Sequence, residues 1–342
     1  MKKHVAKLAG AAILSLFALT GCGSGQEAVS EQPKESGQGE VITIKVGHIS
    51  PPEHSFSLGF DQFAEAVEKE TNGQVEFEIY GNGQLGGEKD LTEQVQLGTL
   101  DMTLVTSAPV ANFVPELGAL DMPFLFRDLD HAYKTLDGEI GEELLGKMEG
   151  VGFKGLGFWE NGLRHISNNK TEIRTPQDFV GLKMRTLENE VFVETYKSLG
   201  ADPTPIAFPE VFTSFQQGVA DGSDFSYGVF ESTNMYEVQN NFSEAGIYYA
   251  SAILLMNLDK FNALPADVQE VIVRLGKEYA TVQRQITQDM EVEQKQNIID
   301  AGVKVIEADE IDFEAFKKAV QPVYDNYADK FGDYVERIQA VQ

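Results

Sequence analysis

Cysteine is almost absent from this sequence: Cys22 stands alone among 342 residues. A single cysteine, placed at the end of an N-terminal apolar run, excludes a disulfide, a thiol nucleophile and a cysteine-ligated metal in the folded body. Positive charge is scarce too. Lysine and arginine number 27 against 54 acidic residues, a net charge of -27. Such a surface repels nucleic-acid phosphates and anionic headgroups, so nucleic acid is not an expected partner. After the first twenty residues no apolar run is long enough to cross a bilayer. Histidine is sparse and dispersed. His4 lies in the N-terminal segment, while His48, His54, His131 and His165 share no metal-ligand spacing. With H-E-x-x-H and G-x-S-x-G also missing, no metal, cofactor or enzymatic reaction is expected. An apolar content of 42% does provide for a core, and the length suits two domains or one large α/β unit.

The N-terminus carries a specific signal. "MKKHVAK" is basic, "LAGAAILSLFAL" is apolar but short for a span, and Leu19-Thr20-Gly21-Cys22 looks like a bacterial lipobox. Residues 1–21 therefore read as a lipoprotein signal peptide, with Cys22 acylated as the mature N-terminus. Residues 23–40 hold one sizeable apolar residue, Val29, and read as a tether reaching about 23 Å. The expected location is outside the cytoplasmic membrane, close to its outer face.

Hydropathy periods in the body alternate between those of strands and helices. "VITIKVG", "VEFEIY" and "DMTLVTS" read as strands, as do "FKGLGF", "LRHIS", "LKMRT" and "SAILLMN". Phe56, Phe60, Phe63 and Val67 share one helix face, closed by Asn72-Gly73. "KDLTEQVQLG" and "PEVFTSFQQG" read as short helices, and residues 265–300 as one helix of about 54 Å. This order predicts a parallel-rich α/β sheet.

Two motifs have mundane readings. Gly81-Asn82-Gly83-Gln84-Leu85-Gly86 matches G-x-G-x-x-G, but the acid some twenty residues on, Asp101, opens a strand instead of ending one. The glycines then serve a tight turn, with Glu88 in the first helical turn. Asp221 and Asp224 in "DGSDFS" read as local turn acceptors.

Arg185 ends the strand "GLKMRT", and Arg164 lies in "NGLRHISN". Burying a guanidinium requires an anionic partner. For Arg185 that partner is either internal, with Glu188 and Glu190 close in sequence, or a ligand.

From Ile44 to about Gln285 the chain resembles the DctP-type substrate-binding proteins of TRAP (tripartite ATP-independent periplasmic) transporters. The resemblance rests on "FAEAVEKETNGQVEFEIYGNGQLGGEKDLTEQVQLGTLDMTLV", "PELGALDMPFLFRDLDHAYKTLDGEIG", "GLKMRTLENEVFVETYKSLGADPTPIAFPEVFTSFQQGVADGSD" and "LLMNLDKFNALPADVQEVI", which occur in family order. It implies an α/β, two-domain periplasmic-binding-protein-like fold with an interdomain ligand cleft and a long helix spanning both domains. Residues 41–161 plus 251–290 would form the first domain, and 162–250 plus 291–342 the second.

The resemblance also implies that Arg185 pairs with the carboxylate of an organic acid, assisted by Arg164. Phe225 stands where the family often has an asparagine, so it is expected either to stack on the ligand or to sit idle at the rim. Glu88 and His48 are expected near ligand hydroxyls, and Trp159, Phe208 and Tyr248 as wall residues. The implied function is capture of an organic acid, with a sugar acid favoured, and delivery to the small and large TRAP membrane subunits by a monomeric receptor. An exported hydrolase, or a receptor for an ATP-driven importer or sensor, are the alternatives.

Overall fold

A computed structural model describes residues 41–342. The signal peptide, Cys22 and the tether lie outside the described residues. The strands are β1 (Ile42–Gly47), β2 (Val75–Tyr80), β3 (Met102–Thr106), β4 (Phe153–Asn168), β5 (Lys183–Thr186), β6 (Asp202–Pro205), β7 (Gly222–Phe225), β8 (Asn241–Asn257) and β9 (Lys304–Ile306). Before the sheet's centre come helices α1 (Ser55–Glu70), α2 (Glu88–Gln96), α3 (Ser107–Val110), α4 (Leu129–Leu136) and α5 (Glu139–Lys147). The next are α6 (Glu190–Ser198), α7 (Val211–Gln216), α8 (Tyr227–Ser232), α9 (Leu258–Asn262) and α10 (Ala266–Asp300). The C-terminal helices are α11 (Phe313–Ala319), α12 (Gln321–Tyr327) and α13 (Tyr334–Ala340).

All nine strands join one sheet, ordered β2-β1-β3-β8-β4-β7-β5-β6, with β9 beside β8. The flanks are parallel: β1 with β2 and β3, β5 with β6 and β7. The centre is antiparallel, so the sheet is mixed. "FKGLGF" and "LRHIS" turn out to be one strand, β4, broken by irregularities at Gly155/Gly157, Glu160/Gly162 and Arg164/Ile166. Bulges of this kind bend a strand and locally raise its twist, which masks the period-2 pattern. β8 also runs well beyond "SAILLMN". Its Ala252–Met256 end pairs with β3 and its Asn241–Ser243 end with β9. β4 and β8 thus tie a β1–β3 half to a β5–β7 half.

Local chemistry explains the elements. The apolar stripe of α1 is wholly buried, and the helix is capped by His54, whose Nδ1 accepts from Phe56 N at 3.1 Å. Positive φ at Asn72 and Gly73 then ends it. Strand β3 is buried along all five residues, as a strand covered on both faces must be. Helix α10 lies across β4 at a point where side chains are missing. A Cβ on Gly276 would come within 2.8 Å of Leu156 O, so only glycine permits this approach. The C-terminal segment straddles the halves instead of staying with the second one. Arg337 on α13 forks onto Glu143 of α5 with two bonds of 2.8 Å, and His131 of α4 meets Ile338 O at 2.8 Å. Among the described residues, no helix is long and apolar enough to cross a membrane.

Candidate ligand-binding site

The parallel strands of both halves end towards one another. In open α/β sheets ligands sit beyond the carboxyl ends of strands, and here the β3 and β5 ends approach each other: Glu88, bonded to Thr106, lies within electrostatic reach of Arg185. After β1 comes His48, and β3 ends at Thr106. Opposite them, β5 ends on Arg185 and Thr186, and β4 contributes Arg164.

Arg185 is 4% exposed. Its Nε donates to Ile206 O at 2.9 Å, and no carboxylate forms an ion pair with its guanidinium among the described residues. The internal candidates are turned elsewhere: Glu188 lies 3.9 Å from Lys89, and Glu190 lies 3.9 Å from Lys330. Burial pushes the Arg185 guanidinium down to about 10, with the neighbouring Arg164 charge adding to the effect. It remains a cation at neutral pH.

Arg164 is equally buried but, unlike Arg185, is paired with a carboxylate. Its Nε meets the Asp224 carboxylate, and its Nη2 donates to Asp224 O at 2.6 Å. Tyr196 Oη donates to the other Asp224 oxygen at 2.8 Å. Asp224 was the acid missed by a turn reading of "DGSDFS". It lies in β7, where its register partner on β4 is Ile166, two residues from Arg164. Strand alternation was the available signal. The same alternation turns Phe225 the other way.

Phe225 is therefore a correction. Its ring is enclosed in a separate core with Phe215 at 6.2 Å and Phe230 at 6.0 Å, and it neither stacks in the gap nor sits at the rim. Trp159 is a second correction. Its Nε1 donates to Gly276 O at 3.1 Å and its ring packs edge-on to Phe63, beneath α10. Phe208 is half-buried and lines an outer groove of about 420 Å³ with Ile49, Asn82 and Pro209, at the rim between the halves.

Glu88 and Tyr248 do face the arginine region, whereas His48 lies beside Gly81 and Phe60. Glu88 accepts from Thr106 N at 2.8 Å and Thr106 Oγ1 at 2.7 Å, within electrostatic reach of both arginines. Burial pushes its carboxyl up, and these hydrogen bonds and charges pull it back. His48 is buried at the end of β1, and its Nδ1 has no hydrogen-bonding partner. Burial lowers its pKa to about 4, so the ring is neutral. The Tyr248 ring stacks at 4.2 Å on Phe192, and its buried hydroxyl makes no hydrogen bond of normal geometry.

One further acid escaped the sequence reading. Asp121 is buried, accepts from Ser107 Oγ at 3.0 Å, and is pushed up to about 7 by desolvation against the pull of that bond and Arg164. No period or motif in "LGALDMPF" marks it.

A family model, bacterial extracellular solute-binding protein family 7 (DctP), matches residues 46–330. The chain belongs to that family. A solute-binding protein of Verminephrobacter eiseniae is 40% identical over 297 residues, covering 86% of this chain and 88% of its own length. A TRAP periplasmic solute-binding protein from Polaromonas, solved with D-erythronate, shows 38% identity and a TM-score of 0.86 over 88% of this chain and 99% of that one. A Sulfitobacter counterpart, solved with β-D-galacturonate, shows 31% identity and a TM-score of 0.84 over 87% and 99%. The family 7 protein described here is thus a TRAP solute-binding protein.

Proposed function

We propose that this protein captures a hydroxylated monocarboxylate, a sugar acid, between its two sheet halves and hands it to TRAP membrane subunits. One observation carries the reading: Arg185 is a buried cation that forms no ion pair with a carboxylate among the described residues. A guanidinium presents a planar fork to a carboxylate, and bonds to charged groups contribute about 1.5–3 kcal/mol each. A micromolar ligand needs roughly -8 kcal/mol in total, so one such clamp supplies a large share.

Charge bookkeeping favours one ligand carboxylate over two. Arg164 is already paired with Asp224, which leaves Arg185 as the arginine of this pair without an ion pair among the described residues. A second ligand carboxylate would enter a region held by Glu88 and Asp121. Hydroxyls suit it better: Glu88 accepts, and the Tyr248 hydroxyl has unused capacity. The acids solved in the Polaromonas and Sulfitobacter proteins are of this kind.

The halves would close on the ligand about β4, β8 and α10, without a chemical step. The lipobox supports anchoring through Cys22, which intact-mass analysis of the mature protein checks.

Calorimetry against D-erythronate, D-galacturonate and succinate tests the reading. Either sugar acid should bind more tightly than succinate. Arg185→Ala should weaken binding by about 2–5 kcal/mol, because the ligand charge is left unpaired. Arg185→Lys should weaken it less, since it keeps the charge and loses the fork. Undiminished affinity in both variants would exclude the clamp.

A further inference from the structure

The residue next to the proposed clamp with the most divided attachments is Asn189. It is 8% exposed and caps α6, its Oδ1 accepting from Val191 N at 2.8 Å. Its amide nitrogen works in the opposite direction. Nδ2 donates to Ala108 O at 3.0 Å and lies 3.3 Å from the Asp121 carboxylate. Ala108 belongs to α3, which follows β3, whereas α6 follows β5. A single side chain therefore caps a helix of one half while hydrogen-bonding to the other half. Two more exposed contacts flank it: Asn112 Nδ2 donates to Glu188 O at 3.0 Å, and Lys89 stands 3.9 Å from Glu188. The Asp121 carboxylate also accepts from the Ser107 hydroxyl, and among the described residues Asn189 is its one hydrogen-bonding partner from the β5 half.

We propose that Asn189 is a positioning residue for ligand retention, a latch that joins the halves through Ala108 and Asp121 once they have closed. This rests on the reading of the gap as the ligand site. The latch does not touch the acid. It slows opening, and so acts on release more than on capture. Its strength depends on an amide donor at position 189 and an acceptor at position 121.

Helix capping is the competing role, and two substitutions separate the roles. Asn189→Ser and Asn189→Asp both keep a good capping oxygen for α6. Neither offers the amide donor, and Asn189→Asp sets a carboxylate against Ala108 O and the Asp121 carboxylate. Stopped-flow measurements on the full chain with D-erythronate and D-galacturonate should show release accelerated about tenfold in Asn189→Ser. Asn189→Asp should release faster still, with association changed less than twofold in both, on the order expected of interface variants. In the Asp121→Asn background, Asn189→Asp should do less damage, because the opposed charges are gone.

A wild-type chain that binds neither acid would count against the proposed function, not the latch. Hydrogen exchange of the unliganded chain then gives the reading. Peptides over residues 106–112 and 186–191 should exchange faster in Asn189→Asp than in wild type, and slower again when Asp121→Asn is added. Asn189→Asp with wild-type release and wild-type exchange would overturn the latch, leaving Asn189 a helix cap.

Discussion

Two guanidiniums lie buried in one region, and the Asp224 carboxylate meets only one of them. Desolvation and mutual repulsion both oppose this arrangement, so Arg164 depends on its acid. Removing one partner of a buried pair strands the other, at about 3–5 kcal/mol. Asp224→Asn should therefore lower the thermal midpoint by several degrees even without ligand. Chemical denaturation of the unliganded protein would report the same loss. An unchanged midpoint would mean that water reaches Arg164. Which arginine is free and which is paired was not legible in the sequence. Both sit near the end of a short apolar stretch, and Glu188 and Glu190 were the nearer acids along the chain. The true partner came from β7, sixty residues from Arg164. Phe225, beside Asp224, was misread because one step along a strand reverses the face.

At the scale of elements, the long helix α10 was plain from its period, and the strands linking the halves were not. Bulges in β4 and the polar start of β8 break the alternation that reveals a strand. What joins these elements is the close approach of α10 to β4 at Gly276. Gly276→Ala would place a methyl 2.8 Å from Leu156 O, and overpacking of this kind costs about 1–3 kcal/mol. Trp159, the only tryptophan, donates to Gly276 O and so reports on the same contact. The variant should show a red-shifted emission together with a lowered midpoint. Emission identical to wild type would mean that the helix accommodates the methyl without moving.

Across the whole molecule, stability should decline in acid for a reason other than surface carboxylates. His48, His54 and His165 are buried, and desolvation lowers their pKa values from 6.5 to about 4, 3 and 4. Each titrates lower in the folded chain than in the unfolded one. Between about pH 6.5 and 4 the unfolded chain thus takes up protons that the folded chain refuses, and stability falls as pH falls. The limit is roughly 3 kcal/mol for His48 and His165 and roughly 5 kcal/mol for His54. Asp121 works in the opposite sense, since its raised pKa favours the folded state as pH falls from about 7. Burial also raises Glu88, Glu160 and Glu291, so these carboxyls offset part of the loss that the three imidazoles cause. Urea denaturation at pH 7 and pH 5 should show it, and His54→Asn, which keeps a capping oxygen for α1, should flatten it. Equal sensitivity in His54→Asn would place the effect on other groups.

Composition and period were enough to establish an acidic α/β body, because helix and strand repeats are local. The family, too, could be read from motifs in their order along the chain. The tertiary structure alone decided which buried charges are matched, since that depends on residues far apart in sequence meeting across the sheet. Arg185 forms no ion pair among the described residues because Asp224 bonds Arg164 and Glu88 bonds Thr106, and no local pattern records such pairings.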